Sequence, residues 1–457
     1  MNKKNNKFFT TPAFTGLFFL LVSQTSFLNA QNPLTLSKAV ENALSNRKNI
    51  GAGKMDLEIR KLQTSALYKK YLPQISLEYI YQYNPILPTS ILPIGIFNPL
   101  YPAGATKAVQ FGTKWSQNAG INIQQPLLDV SIKKQINEFT LQEKITRLDQ
   151  SQNEYQLTYD VALSFINVLI QKKQMESAVV DSIRTWLSLQ LQNNRFINKR
   201  LLKLDLNKAQ INHNNSVQKF KDALSLWTEN KMNLLYLTGE ENLEKSDLNL
   251  DTAFFKEGQF TIENFTNKLD SIPEIQALSF QESLTDLQTK SEKAKYIPVL
   301  SLKGFLGASQ YTNNFNPIES GTWFGSSYLG LDLKLPITIG EDKYRKLKQL
   351  EFKKKQYEAN QEDKLSGYRK DFLTAKLRMK RMEDEIKNLS SNILLSQESI
   401  KLIRERFTEE QESASTLNTE ETSLQSLEAD YQTHKKQVWL YYLDYLRSSG
   451  LLSKFIK

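Results

Sequence analysis

Proline is absent from residues 127 to 272 and again from residue 337 onward, and both stretches carry apolar seams at steps of three and four. The first runs Leu141, Ile145, Leu148, Gln152, Tyr155, Tyr159, Ala162, Ile166, Leu169 and, past the polar positions Lys173 and Glu176, resumes at Val180, Ile183 and Leu187. The second runs Leu365, Tyr368, Phe372, Ala375, Met379, Met382, Ile386, Leu389, Ile393, Ser396, Ile400, Ile403. A third follows through Leu424, Leu427, Tyr431, His434, Val438, Tyr441 and Tyr445. Seams sustained this far predict coiled-coil packing rather than one face of a globular core helix. Helices starting near residues 128 and 337 have room for about 66 residues, or roughly 100 Å at 1.5 Å per residue.

Between the helical stretches lie two hairpin candidates. After Tyr71-Leu72-Pro73, where proline stops a helix and favours extended backbone before it, Ile75, Leu77, Tyr79, Tyr81 and Tyr83 alternate with Ser76, Glu78, Ile80 and Gln82. The return strand sets Ala119, Ile121 and Ile123 against Asn118, Asn122 and Gln124, and ends at Gln125-Pro126. After Tyr296-Ile297-Pro298, Leu300, Leu302 and Leu306 share one face and Ser301, Lys303 and Ser309 the other. Its return strand sets Leu329, Leu331, Leu333 and Leu335 against Tyr328, Gly330, Asp332 and Lys334. Period-2 alternation is the pattern of a strand wetted on one face. Aromatics near the strand ends (Tyr81, Tyr83, Trp115, Tyr311, Trp323, Phe324, Tyr328) fit the girdles of a membrane barrel, whose strands hydropathy misses.

These features repeat. Pro126 and Pro336 are 210 residues apart, and Arg195-Phe196 and Arg406-Phe407 are 211 apart, as are Leu206-Asn207 and Leu417-Asn418. Pro73 and Pro298 are 225 apart because the first hairpin has the longer loop, an apolar, proline-rich excursion from Asn84 to Pro102. The repeated unit is helix, β-hairpin, helix, and its recurrence outweighs any local pattern in deciding the fold.

Lys3, Lys4 and Lys7, the apolar run Phe14 to Val22 and the small residues around Ala30 read as a secretory signal, too short to span a membrane. The formal charge is +10, of which this segment carries three lysines and no acid, leaving +7 interleaved along solvated helix faces. That is no nucleic-acid stripe. Without cysteine there is no disulfide framework or thiol chemistry. With His213 and His434 the sole histidines, neither a Ser/His/Asp triad nor a His-rich metal site has much to draw on, so no enzyme, metal or cofactor is expected. His434 falls on a seam, where an inter-helix contact is expected. Gly51-Ala52-Gly53 lacks the Gly-Lys-Ser/Thr of a phosphate loop.

Leu34-Thr35-Leu36 with Ala39 and Ala43-Leu44, Tyr71-Leu72-Pro73 and Ile297-Pro298 before the hairpins, Gln125-Pro126-Leu127 and Leu335-Pro336-Ile337 after them, and the Arg-Phe pairs form an ordered, duplicated set. In this set the sequence resembles the TolC-like outer-membrane efflux protein family, the outer membrane factors, over nearly its whole mature length. The resemblance implies a mainly α protein with β: long antiparallel coiled-coil helices in a periplasmic α-barrel, and four strands given to the twelve-stranded outer-membrane barrel of a homotrimer. The partners it implies are a periplasmic membrane-fusion adaptor, an inner-membrane transporter and outer-membrane lipid, in a Gram-negative cell. Physics requires part of this, since four strands cannot close a barrel and open edges in lipid cost several kcal/mol per unpaired group.

The boundaries expected are a signal at 1–30, N-terminal helices at 31–72, hairpins at 73–126 and 298–336, and long helix, turn and return helix at 127–237 and 337–449. An equatorial excursion at 238–263, a helix at 264–297 and a tail at 450–457 complete the chain. Lumen candidates are Glu78, Asn122, Gln124, Lys303, Asp332 and Lys334. The resemblance assigns adaptor docking to the turns at Arg195, Phe196, Arg406 and Phe407. It places the gate at Asp205, Lys208, Thr416 and Thr419, of which only Asp205 is the expected acid. The family's turn glycine, four residues after the arginine, is replaced by Lys199 and Glu410. Glu409, Glu410, Glu412, Glu420 and Glu421 read as solvated helix surface. The expected function is a passive duct for efflux or type I secretion; the competing reading is a soluble periplasmic coiled-coil adaptor or scaffold.

Overall fold

The computed structural model describes residues 33–452 apart from 98–99, 101, 103, 245–247, 252–268, 316–320, 322, 337–340 and 410. The expected signal at 1–30, much of the excursion at 238–263, Glu410 and residues 453–457 therefore lie outside the described residues.

The chain opens with α1 (Leu36–Asn46), capped by the Thr35 hydroxyl accepting from the Lys38 N–H, and α2 (Lys48–Tyr68). A 3-10 turn, Lys69–Tyr71, leads through Pro73 into β1 (Gln74–Tyr83). Next come β2 (Thr89–Leu92), α3 (Ile94–Phe97), β3 (Lys107–Gln110) and β4 (Trp115–Leu128). Asp129 then caps α4 (Val130–Ile197), its carboxylate accepting from the Ser131 N–H at 2.8 Å. α5 (Lys203–Leu237) returns, and α6 (Pro273–Ala294) starts with proline in its first turn, where the missing N–H has no partner to lose. β5 (Val299–Thr312), β6 (Phe324–Lys334), α7 (Glu341–Thr408) and α8 (Ala414–Ser448) complete the order.

The proline-free stretches become the two longest helices: α4 and α7 have 68 residues each, and α5 and α8 have 35 each. At 1.5 Å per residue, 68 residues extend about 100 Å. α5 and α6 both lie against α4, α6 and α8 lie against α7, and α1 and α2 run along the first part of α4. Gly53 of α2 sits where a Cβ would meet the Gln150 side chain of α4. Gly53, unlike Gly51, thus serves close helix approach, with Gln150 donating to the Ile50 carbonyl at 3.3 Å.

The main core is at mid-length of α4, where Leu157, Val161, Ala162, Phe165 and Ile166 meet Ala39 and Val40 of α1, Leu234 of α5, Met379 of α7 and Leu443 and Tyr445 of α8. Leu250 joins this core beside Leu34, to which it is bridged in parallel. The α7 seam is buried or half-buried at each position from Leu365 to Ile403. The far end of the α4 seam differs. Val180, Ile183 and Leu187 are exposed, and the packed position beside them is Thr185, hydrogen-bonded to Ser216 at 2.6 Å and to His213 Nδ1 at 3.3 Å. Along this length the face turned to α5 is polar, and the apolar stripe points away from it.

The four long strands form one antiparallel sheet in the order β1-β4-β5-β6, and β2 pairs with β3 in a separate ribbon. The pairing of β4 with β5 joins the two hairpins. β1 and β6 are left as edges.

Candidate functional site

Register decides which side chains share a side of the sheet. Glu78 is opposite Gly120, Asn122 opposite Ser76 and Phe305, Gln124 opposite Lys303, and Ser301 opposite Asp332, while Lys334 is opposite Val299. All six lumen candidates therefore lie on one face. They also pair with each other there: Asn122 Nδ2 donates to Glu78, and Lys303 Nζ lies 2.9 Å from Asp332. The opposite face carries Ile75, Leu77, Tyr79, Ile121, Ile123, Leu306, Leu329, Leu331 and Leu333, which are exposed. Leu329 is 77% exposed and Leu331 68%, values foreign to leucines of a water-soluble sheet packed on helices.

The aromatic residues divide between the faces. Tyr81, Tyr83 and Trp115 lie on the apolar one and form a cluster with Phe315, Tyr83 and Trp115 being 4.4 Å apart and Trp115 and Phe315 5.0 Å. Tyr311, Phe324 and Tyr328 pair with Ser116, Ser309 and Phe305, which puts them on the polar face, where Tyr328 stacks on Phe305 at 5.9 Å. Of the seven girdle residues, three thus lie on the apolar face and three on the polar one, and Trp323 precedes β6. Closeness to a strand end does not set parity, and a one-residue step inverts the side.

At the far end of the helices, α4 turns into α5 through Lys199, whose φ is 57°. The Arg200 N–H donates to the Arg195 carbonyl at 2.8 Å, and Lys199 N–H to the Phe196 carbonyl at 2.9 Å, a left-handed helix stop. The glycine replacement at Lys199 therefore keeps the turn at a conformational cost. In the second turn Gln411 N–H donates to the Arg406 carbonyl at 2.9 Å, the same bond 211 positions on. Lys199→Gly should stabilise the chain by about 1 kcal/mol, the usual cost of a β-carbon in this region, seen as a small rise in the helical unfolding temperature.

Arg195 and Phe196 end α4, with Lys203 Nζ 5.2 Å from the Phe196 ring centre, and Arg406 and Phe407 belong to the last turn of α7. Of the gate candidates, Asp205 and Lys208 lie in the first turns of α5 and approach each other at 3.8 Å, so the one acid has a cation beside it. Thr416 lies in the first turn of α8, its N–H donating to the Ser413 hydroxyl at 3.0 Å, and Thr419 one turn further.

What joins the helices here is a residue the sequence reading set aside. Glu421 of α8 is held by Arg184 of α4 at 3.1 Å and by Arg404 of α7 at 2.9 Å, and Arg184 also reaches Asp181 and Gln425. Glu421 is thus a half-buried cross-link of three helices and not solvated surface. A charge-rich stretch on one helix does not reveal which acid a distant arginine meets. His434 does make an inter-helix contact, with Nε2 2.9 Å from Glu385 of α7.

A second polar node sits just beyond the core. Arg447 of α8 stacks on Tyr159 at 4.5 Å and donates to Gln156 at 3.0 Å, while the Tyr159 hydroxyl donates to Asp444 at 2.6 Å. The Tyr155 hydroxyl donates to the Arg447 carbonyl at 2.7 Å, and burial pushes the Tyr155 and Tyr159 phenols well up. Nearby, Glu274 of α6 takes bonds from Tyr368 at 2.8 Å and Lys364 at 2.7 Å; burial opposes its charge, but these donors hold its carboxyl below the usual range. Asp160 is the contrary case: burial raises its pKa despite Gln156 and Arg447. A raised carboxyl pKa means that the folded chain binds the proton more readily than the unfolded chain, so this group destabilises at neutral pH and ceases to do so on acidification. Asp160→Asn should therefore raise the melting temperature at pH 7, with the gain vanishing as the pH falls below about 4, the unfolded carboxylate range.

No family model matches the sequence, and no curated protein matches it either. Solved structures do match in fold. The Campylobacter jejuni CmeC outer membrane channel superposes with a TM-score of 0.74 at 14% identity, over 91% of this chain and 85% of that one. VceC, an outer membrane protein of Vibrio cholerae, gives 0.70 at 12% identity over 91% and 96%. The open state of the Neisseria gonorrhoeae MtrE outer membrane channel gives 0.70 at 16% over 91% and 88%. At such identities the likeness establishes the fold, which is that of the outer membrane factors.

Proposed function

We propose that this chain, which has the outer-membrane-factor fold, is one subunit of a homotrimeric outer-membrane duct that exports cargo through a periplasmic helical barrel. The observation that carries this is the sheet: one face exposes leucine, isoleucine and tyrosine, the other holds paired charges and amides, and both edges are open. Such a sheet is stable in lipid only if its edges are closed by copies of itself. Three copies bring four strands each, making twelve. The apolar face meets lipid and the six polar residues line the lumen.

The stripe of Val180, Ile183 and Leu187 fits contact with a neighbouring copy, and the equal lengths of α4 with α7 and α5 with α8 fit an internal repeat. We assign the turns at Arg195–Asp205 and Arg406–Thr419 to the closing end, where an adaptor and an inner-membrane transporter dock. Glu421 supports this as the tie between the halves just behind the turns.

The test is to fractionate cells expressing the chain and to reconstitute the detergent-purified protein in a planar bilayer. Stepwise conductance and a mass of three protomers are expected. Recovery from the periplasm without detergent would sink the duct and favour the adaptor or scaffold reading.

A further inference from the structure

The long loop of the first hairpin is not a bare excursion. Its ribbon continues the β1–β4 ladder beyond the membrane-facing sheet: Asn84 N–H donates to the Lys114 carbonyl at 2.7 Å, and Phe111 N–H to the Pro88 carbonyl at 3.1 Å. β2 and β3 then pair from Thr89–Gln110 to Leu92–Lys107. The continuation bends at Gly112, whose φ of 110° is open to glycine and to few other residues.

Two properties set this ribbon apart. The ribbon and the loop around it carry exposed large apolar side chains, Ile86 at 86% exposure, Ile91 at 70% and Ile96 at 73%. It is also free of acid: none of the chain's 49 acidic residues falls between Glu78 and Asp129, whereas Lys107 and Lys114 are on the ribbon or at its base. Exposed apolar area on this scale marks an interaction surface. Apolar side chains combined with cations and no anions are the composition of elements that lie in the headgroup region of an anionic bilayer. The ribbon also starts at the right depth. The residue before Asn84 is Tyr83 and the residue after Lys114 is Trp115, both in the aromatic cluster on the apolar face, and such clusters sit at the membrane–water boundary.

We propose that the β2–β3 ribbon is a membrane-surface anchor, its isoleucines seated among the anionic lipids that surround the barrel and its lysines facing their headgroups. This rests on the duct reading, because it needs the sheet to be in a bilayer. The anchor fixes the barrel against tilting and vertical slip from outside, a task the helical end cannot perform.

The chain has no cysteine, so single probes can be placed cleanly. Ile91→Cys, Ile96→Cys and, as reference, Leu329→Cys are labelled with bimane in the full-length trimer and reconstituted into phosphatidylethanolamine/phosphatidylglycerol vesicles containing brominated phospholipid. The expected result is loss of emission at 91 and 96 comparable with that at 329, weakened when Lys107→Glu and Lys114→Glu are added. Emission at 91 and 96 that responds to aqueous iodide and not to brominated lipid overturns the anchor. So does disulfide formation between Ile96→Cys copies without lipid quenching, which would place the ribbons over the pore mouth. If Leu329→Cys is also untouched by lipid, the duct reading itself fails.

Discussion

Arginine at Leu329 and Leu331 is expected to abolish stable insertion of the protein into the outer membrane, while Asp332→Asn inserts normally. The three positions are neighbours on β6, and only their side differs: Leu329 and Leu331 are opposite Gly304 and Leu302 on the apolar face, Asp332 opposite Ser301 on the polar one. A cation on the lipid face of a barrel costs roughly 2–4 kcal/mol near the bilayer midplane, and two substitutions recur in every copy. Per chain the two add up to roughly 4–8 kcal/mol, on the scale of the total stability of a typical domain, about 5–15 kcal/mol. Heat-modifiable trimer in the membrane fraction is the readout. In the Asp332→Asn channel, Lys303 loses its partner at 2.9 Å and each copy loses an anion. Permeability should shift toward anions, measured as reversal potential in a salt gradient. Equal assembly of both variants would show that the faces are assigned the wrong way round.

Phe165→Ala should be the most damaging single change in the helices. Phe165 is fully buried where α1, α4, α5, α7 and α8 converge. Elsewhere the rods touch along thin seams with little apolar area to spare. Removing a buried aromatic ring costs about 3–5 kcal/mol in lost transfer energy and cavity, and no second core of this size exists among the described residues to hold α1 in place. The melting temperature by circular dichroism should fall by many degrees. Leu187→Ala, on the exposed stripe, should leave the isolated chain unaffected and weaken only the proposed assembly of copies. The difference separates intra-chain packing from packing between copies.

Much of this was legible in one dimension. Absence of proline with a heptad seam is a local property, and it located α4 and α7 to within a few residues. Period-2 alternation likewise sorted Glu78, Asn122, Gln124, Lys303, Asp332 and Lys334 onto one face before any register was known. Lys199 shows the limit. Lysine stands there in place of the turn glycine, yet the backbone hydrogen bonds of the helix end hold it left-handed all the same.

Sequence by itself determined the long helices, the two hairpins, their order and the polarity of each strand face, because these follow from spacing along a chain of known pitch. Only the tertiary structure decided which residues meet: that β4 pairs with β5, that Glu421 ties α4 to α7, and that Val180, Ile183 and Leu187 stay uncovered. The reason is range. Periodicity reports a residue's own helix or strand, whereas partners 237 positions apart, such as Arg184 and Glu421, are brought together by the packing of whole helices.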